Sequence, residues 1–213
     1  MHEIAERLRR ARVAPVVRTG SPETARHGVD VLAEEGFDLF EVTLTIPGAI
    51  DLIRDLSRDP ALCIGVGTVL TADDGRKAID AGAAFVVSPA FVPDLTAVGA
   101  EASVPVALGA ATPTEALRAD EEGASFVKLF PAAQLGGPGF VKAVRSVYPQ
   151  IEIMPTGGIG PDDIPAYFAA GAVCLGMGGN LVNEAALLSG DLSLIRSAAR
   201  DVRSQISALP AMG

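Results

Sequence analysis

The chain has 213 residues, of which 49% are hydrophobic and 20% charged, a composition that excludes a disordered protein and suffices for one sizeable core. Its 17 Lys and Arg against 26 Asp and Glu give a net charge of -9, which argues against a nucleic-acid-binding protein, because phosphate backbones are bound by basic faces. No apolar run approaches the length of a membrane span and no signal-peptide core opens the chain. We therefore expect a soluble, cytoplasmic protein without a membrane partner.

Short apolar segments recur along the chain, each followed by turn residues and a helix-like stretch, and this alternation predicts repeated βα units. A charged helix over about 1–12 precedes them. In chain order, the predicted strands are 13–18, 39–44, 63–67, 85–88, 104–108, 126–130, 151–156 and 173–176. Predicted helix starts are marked by Ser21, Thr71, Thr112 and Pro161, and helix ends by Gly36, Gly82, Gly123 and Gly171.

These elements predict one domain over 1–213, because no linker-like stretch of Pro, Ser or Gly divides the chain. Eight parallel strands alternating with helices close most simply as a (β/α)8 TIM barrel, whose strands are buried on both faces. An open doubly wound sheet is the alternative, but no GxGxxG motif follows the first strand. In a barrel the chemistry lies at the carboxyl ends of the strands.

Cysteine and histidine usage limits the possible chemistry. Cys63 and Cys174 lie far apart in apolar segments, and we interpret both as reduced core residues, with a disulfide as the alternative. The only histidines, His2 and His27, have no ligand-like partner at metal spacing. We therefore expect no metal site.

A lysine stands in the middle of the apolar segment 126–130. Because side chains alternate along a strand, Lys128 shares the barrel interior with Phe126 and Phe130. An apolar interior penalises the ammonium form and favours a neutral, nucleophilic amine, which attack on a carbonyl carbon requires. The chain has 14 arginines and only three lysines, and an arginine at this position would supply charge but no Schiff base. A structural ion pair across the barrel is the alternative.

The second strand carries the opposite charge at an inward position. Glu41 and Thr43 face the interior, while the alternate apolar residues of that strand face the helices. A carboxylate beside an amine can move protons to and from the intermediates of imine chemistry. The alternative is that Glu41 merely pairs with Lys128.

Glycine-rich turns follow the last two predicted strands, at 156–160 and 176–180, and the second runs into a predicted helix over 181–187. The loops after strands seven and eight are the usual phosphate site of a TIM barrel, where bare backbone amides and a helix N-terminus face the anion. Glycine also serves as plain loop punctuation. Two such turns at these two strand ends nevertheless favour phosphate binding.

Three further residues stand at predicted strand ends. Arg18 ends the first strand, which adjoins the last strand in a closed barrel, so its guanidinium can reach an anion at the terminal loops or a substrate carboxylate. A solvated arginine is the alternative. Thr68 follows a glycine-flanked strand, where its hydroxyl can donate to a carboxylate. Pro89 gives the fourth strand end a fixed edge, a role in shape rather than in chemistry.

Together these segments resemble, nearly end to end and in order, the 2-dehydro-3-deoxy-phosphogluconate (KDPG) and 4-hydroxy-2-oxoglutarate (KHG) aldolase family. The motifs that carry the resemblance are Pro15-Val16-Val17-Arg18, Glu41-Val42-Thr43-Leu44-Thr45-Ile46-Pro47, Gly65-Val66-Gly67-Thr68-Val69, Val87-Ser88-Pro89, Val127-Lys128-Leu129-Phe130-Pro131, Pro155-Thr156-Gly157-Gly158-Ile159 and Gly176-Met177-Gly178-Gly179-Asn180-Leu181.

The resemblance implies a class I aldolase in which Lys128 forms the Schiff base with the 2-oxo carbon and Glu41 is the acid and base. The substrate-binding residues that we predict are Arg18, Thr43, Thr68, Pro89 and Thr156. The predicted phosphate-binding residues are Gly157, Gly158, Gly178, Gly179 and Asn180. Family members are commonly homotrimers that need no metal, so we expect a homotrimer without a cofactor.

Two positions depart from the family pattern. Some members carry an arginine for the substrate carboxylate where this chain has Thr45, so that role falls to Arg18 or to backbone amides. Members often have a serine where this chain has Asn180. Both departures bear on substrate choice rather than on imine chemistry.

The predicted reaction is cleavage of 2-dehydro-3-deoxy-6-phosphogluconate to pyruvate and glyceraldehyde 3-phosphate. With the same chemistry, the alternatives are the galactonate isomer and 4-hydroxy-2-oxoglutarate, because one inverted hydroxyl is not legible in a sequence. A phosphosugar isomerase or epimerase would use Glu41 as a base and Lys128 only for its charge. A phosphate-ligand-binding barrel without turnover would need only the terminal glycine turns.

Overall fold

The computed structural model describes residues 2–210 as alternating parallel strands and helices. Its strands are β1 (Val13–Val17), β2 (Leu39–Thr43), β3 (Cys63–Gly67), β4 (Val86–Val87), β5 (Val106–Ala110), β6 (Phe126–Leu129) and β7 (Leu175–Met177). Its α-helices are α1 (His2–Ala11), α2 (Pro22–Glu34), α3 (Ala49–Leu56), α4 (Ala72–Asp80), α5 (Asp94–Ala102), α6 (Pro113–Glu121), α7 (Gly137–Val147), α8 (Ile164–Ala169), α9 (Glu184–Ser189) and α10 (Ser193–Ala208). A short 3-10 turn, Pro161–Asp163, precedes α8.

The sheet curls into a barrel. Its strand order is β6-β5-β4-β3-β2-β1-β7, with every pair parallel. Between β6 and β7 lies the segment 151–156, in which Ile153 bridges to β6 and Thr156 bridges to Gly176 of β7. The ring of backbone contacts is thereby complete, and the predicted α/β barrel is confirmed.

Two prolines change the predicted strands. The prediction of a continuous strand over 151–156 is wrong, because Pro155 has no amide hydrogen to donate and the segment makes three isolated bridges in place of a ladder. The fifth strand, predicted at 104–108, lies instead at Val106–Ala110, directly after Pro105. The predicted fourth strand shortens to Val86–Val87 and the last shifts to Leu175–Met177.

The helix starts predicted at Ser21, Thr71 and Thr112 are confirmed, because each side chain accepts a hydrogen bond from the backbone amide three residues later. The predicted helix over 181–187 begins later, at Glu184, where the Asn183 side chain accepts from the Ala186 amide at 3.0 Å. The glycines predicted at helix ends all adopt the left-handed backbone that favours glycine: Gly36, Gly82, Gly123 and Gly171.

Two apolar clusters surround the strands. The inner cluster fills the barrel with alternate strand residues such as Phe85 and Phe126, and Ala5 and Leu8 of α1 close it at the amino end. The outer cluster packs the opposite strand faces against the helices. Both cysteines are buried and free, as predicted. The interior is therefore sealed by α1, and the carboxyl ends of the strands form the other end of the barrel.

No helix within residues 2–210 is both long and apolar enough to cross a bilayer. Among the same residues, no group of three or more His, Cys, Asp or Glu side chains is placed to hold a metal ion.

Candidate active site

Lys128 and Glu41 meet inside the barrel. The Nζ atom of Lys128 on β6 lies 3.3 Å from Oε1 of Glu41 on β2, and their side chains are 4% and 0% exposed. Alternation along the two strands directs both residues inward, while Val127 and Leu129 pack in the outer cluster. The predicted meeting of an amine and a carboxylate in one lumen is confirmed as geometry.

A glycine makes room for the carboxylate. A Cβ atom on Gly67 of β3 would lie 2.1 Å from Oε1 of Glu41, so any other residue there would displace it. The second carboxylate oxygen, Oε2, is buried and has no hydrogen-bond partner within residues 2–210. Buried polar atoms are normally hydrogen-bonded, so this oxygen is a position at which a ligand or a transferable proton completes the site.

A cavity of about 260 Å³ adjoins this pair at the carboxyl end of the barrel. The ring of Phe130 connects the two features, because it lines the cavity and its centroid lies 5.8 Å from Lys128 Nζ. The other lining residues are Val16, Arg18, Thr156, Gly157, Gly158, Ile159, Gly178, Gly179 and Asn180. The cavity thus brings together Arg18, Thr156 and all five residues predicted for the phosphate end.

The two glycine turns present free backbone donors to this cavity. The amides of Gly157, Gly158, Gly178 and Gly179 donate no hydrogen bond to any other residue among 2–210. Gly157 and Gly158 also have φ values of 102° and 75°, which strain any other residue. Unsatisfied amides converging on a cavity form a site for an anion, because each N–H dipole presents its positive end. The expected helix N-terminus does not contribute, since α9 begins at Glu184.

Asn180 connects the two turns. Its Nδ2 atom donates to the carbonyl oxygen of Ile159 at 3.0 Å. Asn180, which we predicted as a phosphate contact, therefore uses one hydrogen of its side-chain amide to hold the second turn against the first. The spacing between the two sets of free amides depends on this bond.

Arg18 and Thr68 form the second polar group of the cavity mouth. The exposed guanidinium of Arg18 donates from Nη2 to Oγ1 of Thr68 at 3.3 Å. Thr68 has a φ of 60°, which is rare for a β-branched residue and costs conformational free energy. Strain of this kind persists where the surrounding structure fixes a functional position. Together the two side chains offer a cation and a hydroxyl suited to a carboxylate.

The remaining predicted contacts lie at strand ends with different surroundings. The hydroxyl of Thr156 is buried without a partner within 2–210, and Gly176 makes room for it, because a Cβ there would lie 2.4 Å from Oγ1. Thr43 is buried outside the cavity lining, with Oγ1 donating to the Val17 carbonyl at 3.2 Å. Pro89 is half-buried above Gly109, whose absent Cβ lets the two backbones approach.

Sequence reasoning assigned no site role to Phe130 or to Ser88, and of these two residues only Phe130 lines the cavity. Phe130 forms a wall of the cavity. Ser88 is fully buried at the carboxyl end of β4, with Oγ accepting from the Ala90 amide at 3.2 Å. A polar residue that ends an apolar strand is the signal that identifies Ser88, whereas Phe130 carries no signal beyond its inward position.

A nucleophilic amine and a carboxylate buried below an anion-binding mouth define a barrel enzyme that acts on carbonyl compounds bearing acidic groups. Comparison with known proteins identifies the family. The family model "KDPG and KHG aldolase" matches residues 4–198. The chain therefore belongs to the KDPG and KHG aldolase family, and its enzyme class is that of the aldolases.

Individual relatives of the chain belong to the same family of aldolases. A 2-dehydro-3-deoxy-phosphogluconate aldolase of Treponema pallidum is 37% identical over 92% of this chain and 93% of its own. A probable 2-dehydro-3-deoxy-6-phosphogalactonate aldolase of Rhizobium meliloti is 37% identical over 78% of this chain and 79% of its own. The crystal structure of KDPG aldolase from Legionella pneumophila, with pyruvate captured as a covalent carbinolamine, superimposes with a TM-score of 0.85 at 32% identity, covering 93% of this chain and 97% of that one.

Proposed function

We propose that this protein is a class I aldolase that cleaves 2-dehydro-3-deoxy-6-phosphogluconate to pyruvate and glyceraldehyde 3-phosphate. The observation that carries the proposal is the 3.3 Å contact between Lys128 and Glu41, next to Phe130, which lines a cavity ringed by free amides. The carbinolamine captured in the Legionella relative supports the same covalent chemistry in this chain.

The proposed reaction begins when the amine of Lys128 adds to C2 of the substrate and forms a carbinolamine. Glu41 donates the proton with which the C2 hydroxyl leaves as water, and a protonated imine results. Glu41, now a carboxylate, removes the proton of the C4 hydroxyl, and the C3–C4 bond breaks. The electron pair of that bond moves into the imine and gives an enamine, while the aldehyde departs.

The second half of the reaction regenerates the lysine. The enamine takes a proton at C3 from Glu41 and becomes the imine of pyruvate. Water adds to that imine and gives a carbinolamine. The carbinolamine then breaks down to pyruvate and the free amine of Lys128. The buried oxygen Oε2 of Glu41, which has no protein partner within 2–210, is the atom that we assign to these proton transfers.

The two ends of the substrate match two parts of the site. We assign the carboxylate to Thr68 and Arg18, whose charge substitutes for the arginine absent at Thr45. We assign the phosphate to the free amides of Gly157, Gly158, Gly178 and Gly179. These amides favour the phosphorylated substrates over 4-hydroxy-2-oxoglutarate, which has no phosphate to use them.

The galactonate isomer is the second candidate substrate, because a relative named for it is as similar to this chain as one named for the gluconate compound. The unpartnered hydroxyl of Thr156 is the group that we expect to contact the substrate chain where the two isomers differ. Steady-state cleavage of both isomers and of 4-hydroxy-2-oxoglutarate, with pyruvate release as the readout, tests the assignment. The proposal requires the highest kcat/KM for the gluconate compound, and a higher value for either competitor overturns it.

We further propose a cytoplasmic homotrimer in which residues 1–213 form one domain. The reduced, buried state of Cys63 and Cys174 supports a reducing compartment. Sedimentation equilibrium tests the trimer, and a monomer or dimer mass contradicts it.

A further inference from the structure

A second cavity lies at the amino end of the barrel, on the side opposite the candidate active site. Its volume is about 1060 Å³, slightly above the roughly 300–1,000 Å³ of typical small-ligand sites. We call it the basal cavity. The apolar residues that line it belong to α8, to the segment just before β7, and to the end of α10 with the two residues after it, and they are Pro165, Phe168, Ala169, Ala172, Val173, Ala208, Leu209 and Pro210. The charged residues in its lining are Glu6, Arg9, Arg10, Arg12 and Glu152.

Arg12 occupies an unusual backbone position in this cavity. It directly follows the last residue of α1 and has a φ of 61°. The residue after a helix commonly adopts this left-handed conformation, and glycine is the usual choice because any side chain is strained there. An arginine at this point retains its guanidinium at a conformational cost, so the side chain has a role that glycine would lose.

Within residues 2–210, the guanidinium of Arg12 is buried without a carboxylate partner. The residue is 9% exposed, and no carboxylate lies within ion-pair distance among residues 2–210. Its partners are the carbonyl oxygen of Pro210, to which Nη2 donates, and the ring of Phe168, whose centroid is 5.7 Å away. A buried cation that has only neutral partners leaves unused attraction for an anion.

The other charges in the lining leave the positive charge of Arg12 unbalanced. Arg9 is neutralised by Glu152, to which its Nε donates at 3.0 Å, and by Glu6 at 2.6 Å. Arg10 forms no ion pair within residues 2–210. Among residues 2–210, the lining therefore holds two arginines that pair with no carboxylate and lie beside an apolar wall, in a chain whose net charge is -9.

We propose that the basal cavity binds an amphipathic organic anion, in which one carboxylate, sulfonate or phosphate group pairs with Arg12 and Arg10 and an apolar body packs against Phe168 and Leu209. The site is separate from the aldolase site, because Lys128 and Glu41 lie toward the opposite end of the barrel and line no part of the basal cavity. The apolar body distinguishes this ligand from the polar sugar acids of the proposed reaction.

The test uses 8-anilinonaphthalene-1-sulfonate, which has one anionic group on an aromatic body and fluoresces when its surroundings are apolar. We expect saturable binding at one probe per chain. Asn tolerates the left-handed backbone, so Arg12→Asn removes the charge with little strain and lowers probe affinity by about tenfold, the value of one charge-assisted hydrogen bond. Arg10→Gln lowers affinity by a smaller factor, and Arg118→Gln, an exposed arginine outside the cavity, leaves it unchanged.

A steric variant tests the place of binding independently of charge. Ala169 is an exposed residue of α8 that lines the cavity, and Ala166 is an exposed residue of the same helix that does not. Ala169→Trp places an indole ring in the cavity and lowers probe affinity, whereas Ala166→Trp leaves it unchanged. Equal binding by both tryptophan variants, or unchanged affinity in Arg12→Asn, overturns the proposal.

Two further measurements separate this site from the aldolase site. Reduction of the pyruvate adduct with borohydride blocks Lys128 and leaves probe affinity unchanged, since the basal cavity lies at the other end of the barrel. Phenyl phosphate displaces the probe, whereas inorganic phosphate at the same concentration does not, because it lacks the apolar body. Loss of probe binding after borohydride reduction, or displacement by inorganic phosphate, contradicts the proposal.

Discussion

The two ends of the barrel differ in how their polar groups are satisfied. At the amino end, Arg9 bonds with Glu152, and this hydrogen bond is the main cause that raises the pKa of Arg9 above its ordinary value. At the carboxyl end, Glu41 Oε2 and Thr156 Oγ1 are buried without a partner among residues 2–210, and at the amino end Ser57 Oγ, directly after α3, is the one comparable atom. Natural folds rarely leave such atoms unsatisfied. We infer that the polar contacts at the amino end chiefly stabilise the fold, with Arg12 as the exception. The unpartnered polar atoms at the carboxyl end serve to bind a ligand.

The largest expected effect follows from removing the amine. Lys128→Arg keeps a positive charge beside Glu41 but forms no imine, so we expect cleavage to fall by at least about 10³-fold. Lys142→Arg is the matched control, because Lys142 is exposed on α7, and it leaves the rate unchanged. Pyruvate release from the phosphorylated substrate measures both. Substantial cleavage by Lys128→Arg would assign the chemistry to another group.

A smaller loss is expected at the carboxylate. Glu41→Gln retains the shape of the side chain but transfers no protons, so we expect kcat to fall by about 10² to 10⁴-fold. The pyruvate adduct of Lys128 still forms in this variant, only more slowly, because the nucleophile is intact. A rapid-quench time course with borohydride measures adduct formation. A variant with unchanged kcat would show that Glu41 is only the ion-pair partner of Lys128.

The phosphate end is tested with a pair of glycines. Gly158 and Gly123 both have left-handed backbones, with φ values of 75° and 81°, so alanine strains both. A Cβ on Gly158 would lie 2.6 Å from Ala133 Cβ at the cavity, whereas one on Gly123 would meet nothing within 4 Å. We expect Gly158→Ala to raise KM for the phosphorylated substrate by about tenfold, the loss of one charge-assisted hydrogen bond.

Gly123→Ala is the control for this measurement, since it carries the strain without reaching the site and leaves KM unchanged. Borohydride trapping of pyruvate, which has no phosphate, proceeds equally in both variants. An equal rise of KM in both would show that backbone strain, and not the phosphate contact, is responsible.

At the amino end we expect a change in stability without a change in rate. Glu152→Gln weakens the contact with Arg9. The side chain of Glu152 is 32% exposed and that of Arg9 is 22% exposed, so solvent screening limits the loss of unfolding free energy to about 1 kcal/mol. Urea unfolding measures this loss, and steady-state assays check that kcat and KM are unchanged. A kinetic defect comparable to that of Gly158→Ala would remove the distinction between the two ends.

The last prediction concerns a buried thiol, whose effect is confined to alkaline pH. Burial raises the pKa of Cys174 from 9.0 to about 12. The folded state therefore retains this proton more tightly than the unfolded state, so the thiol's contribution to stability is complete below about pH 9 and is lost as the pH rises toward 12. We expect unfolding free energy to fall over this alkaline interval, and Cys174→Ala to reduce that slope. Urea titrations at several alkaline pH values measure the unfolding free energy of both proteins. An identical slope of this free energy against pH in Cys174→Ala contradicts the assignment to Cys174.

The sequence predicts those features that depend on strand periodicity and on turn composition. Inward side chains at Lys128 and Glu41 follow from alternation along two apolar segments, and the barrel follows from repeated βα units. Strand pairing across the sheet is harder to predict from the sequence. Pro155 interrupts the ladder of the segment 151–156, yet that segment still closes the barrel. Residue types within the segment do not predict whether the proline breaks the pairing or the barrel closes in spite of it.

Contacts between distant segments are the other part that sequence patterns do not predict. The bond from Asn180 to Ile159 depends on how two turns fold against each other. Similarly, the left-handed backbone of Arg12 accompanies a contact with Phe168, a residue far away in the chain. Residue types at these positions fit many other arrangements, so only the tertiary structure identifies them.

The most direct test of the central claim is the mass of the protein and of its peptides after incubation with pyruvate and borohydride. The account predicts one reduced pyruvyl adduct per chain, confined to the peptide that contains Lys128 and absent from Lys128→Arg. A folded protein that forms no adduct, or one that carries the adduct on Lys77 or Lys142, would contradict the claim that Lys128 at the base of the cavity is the nucleophile.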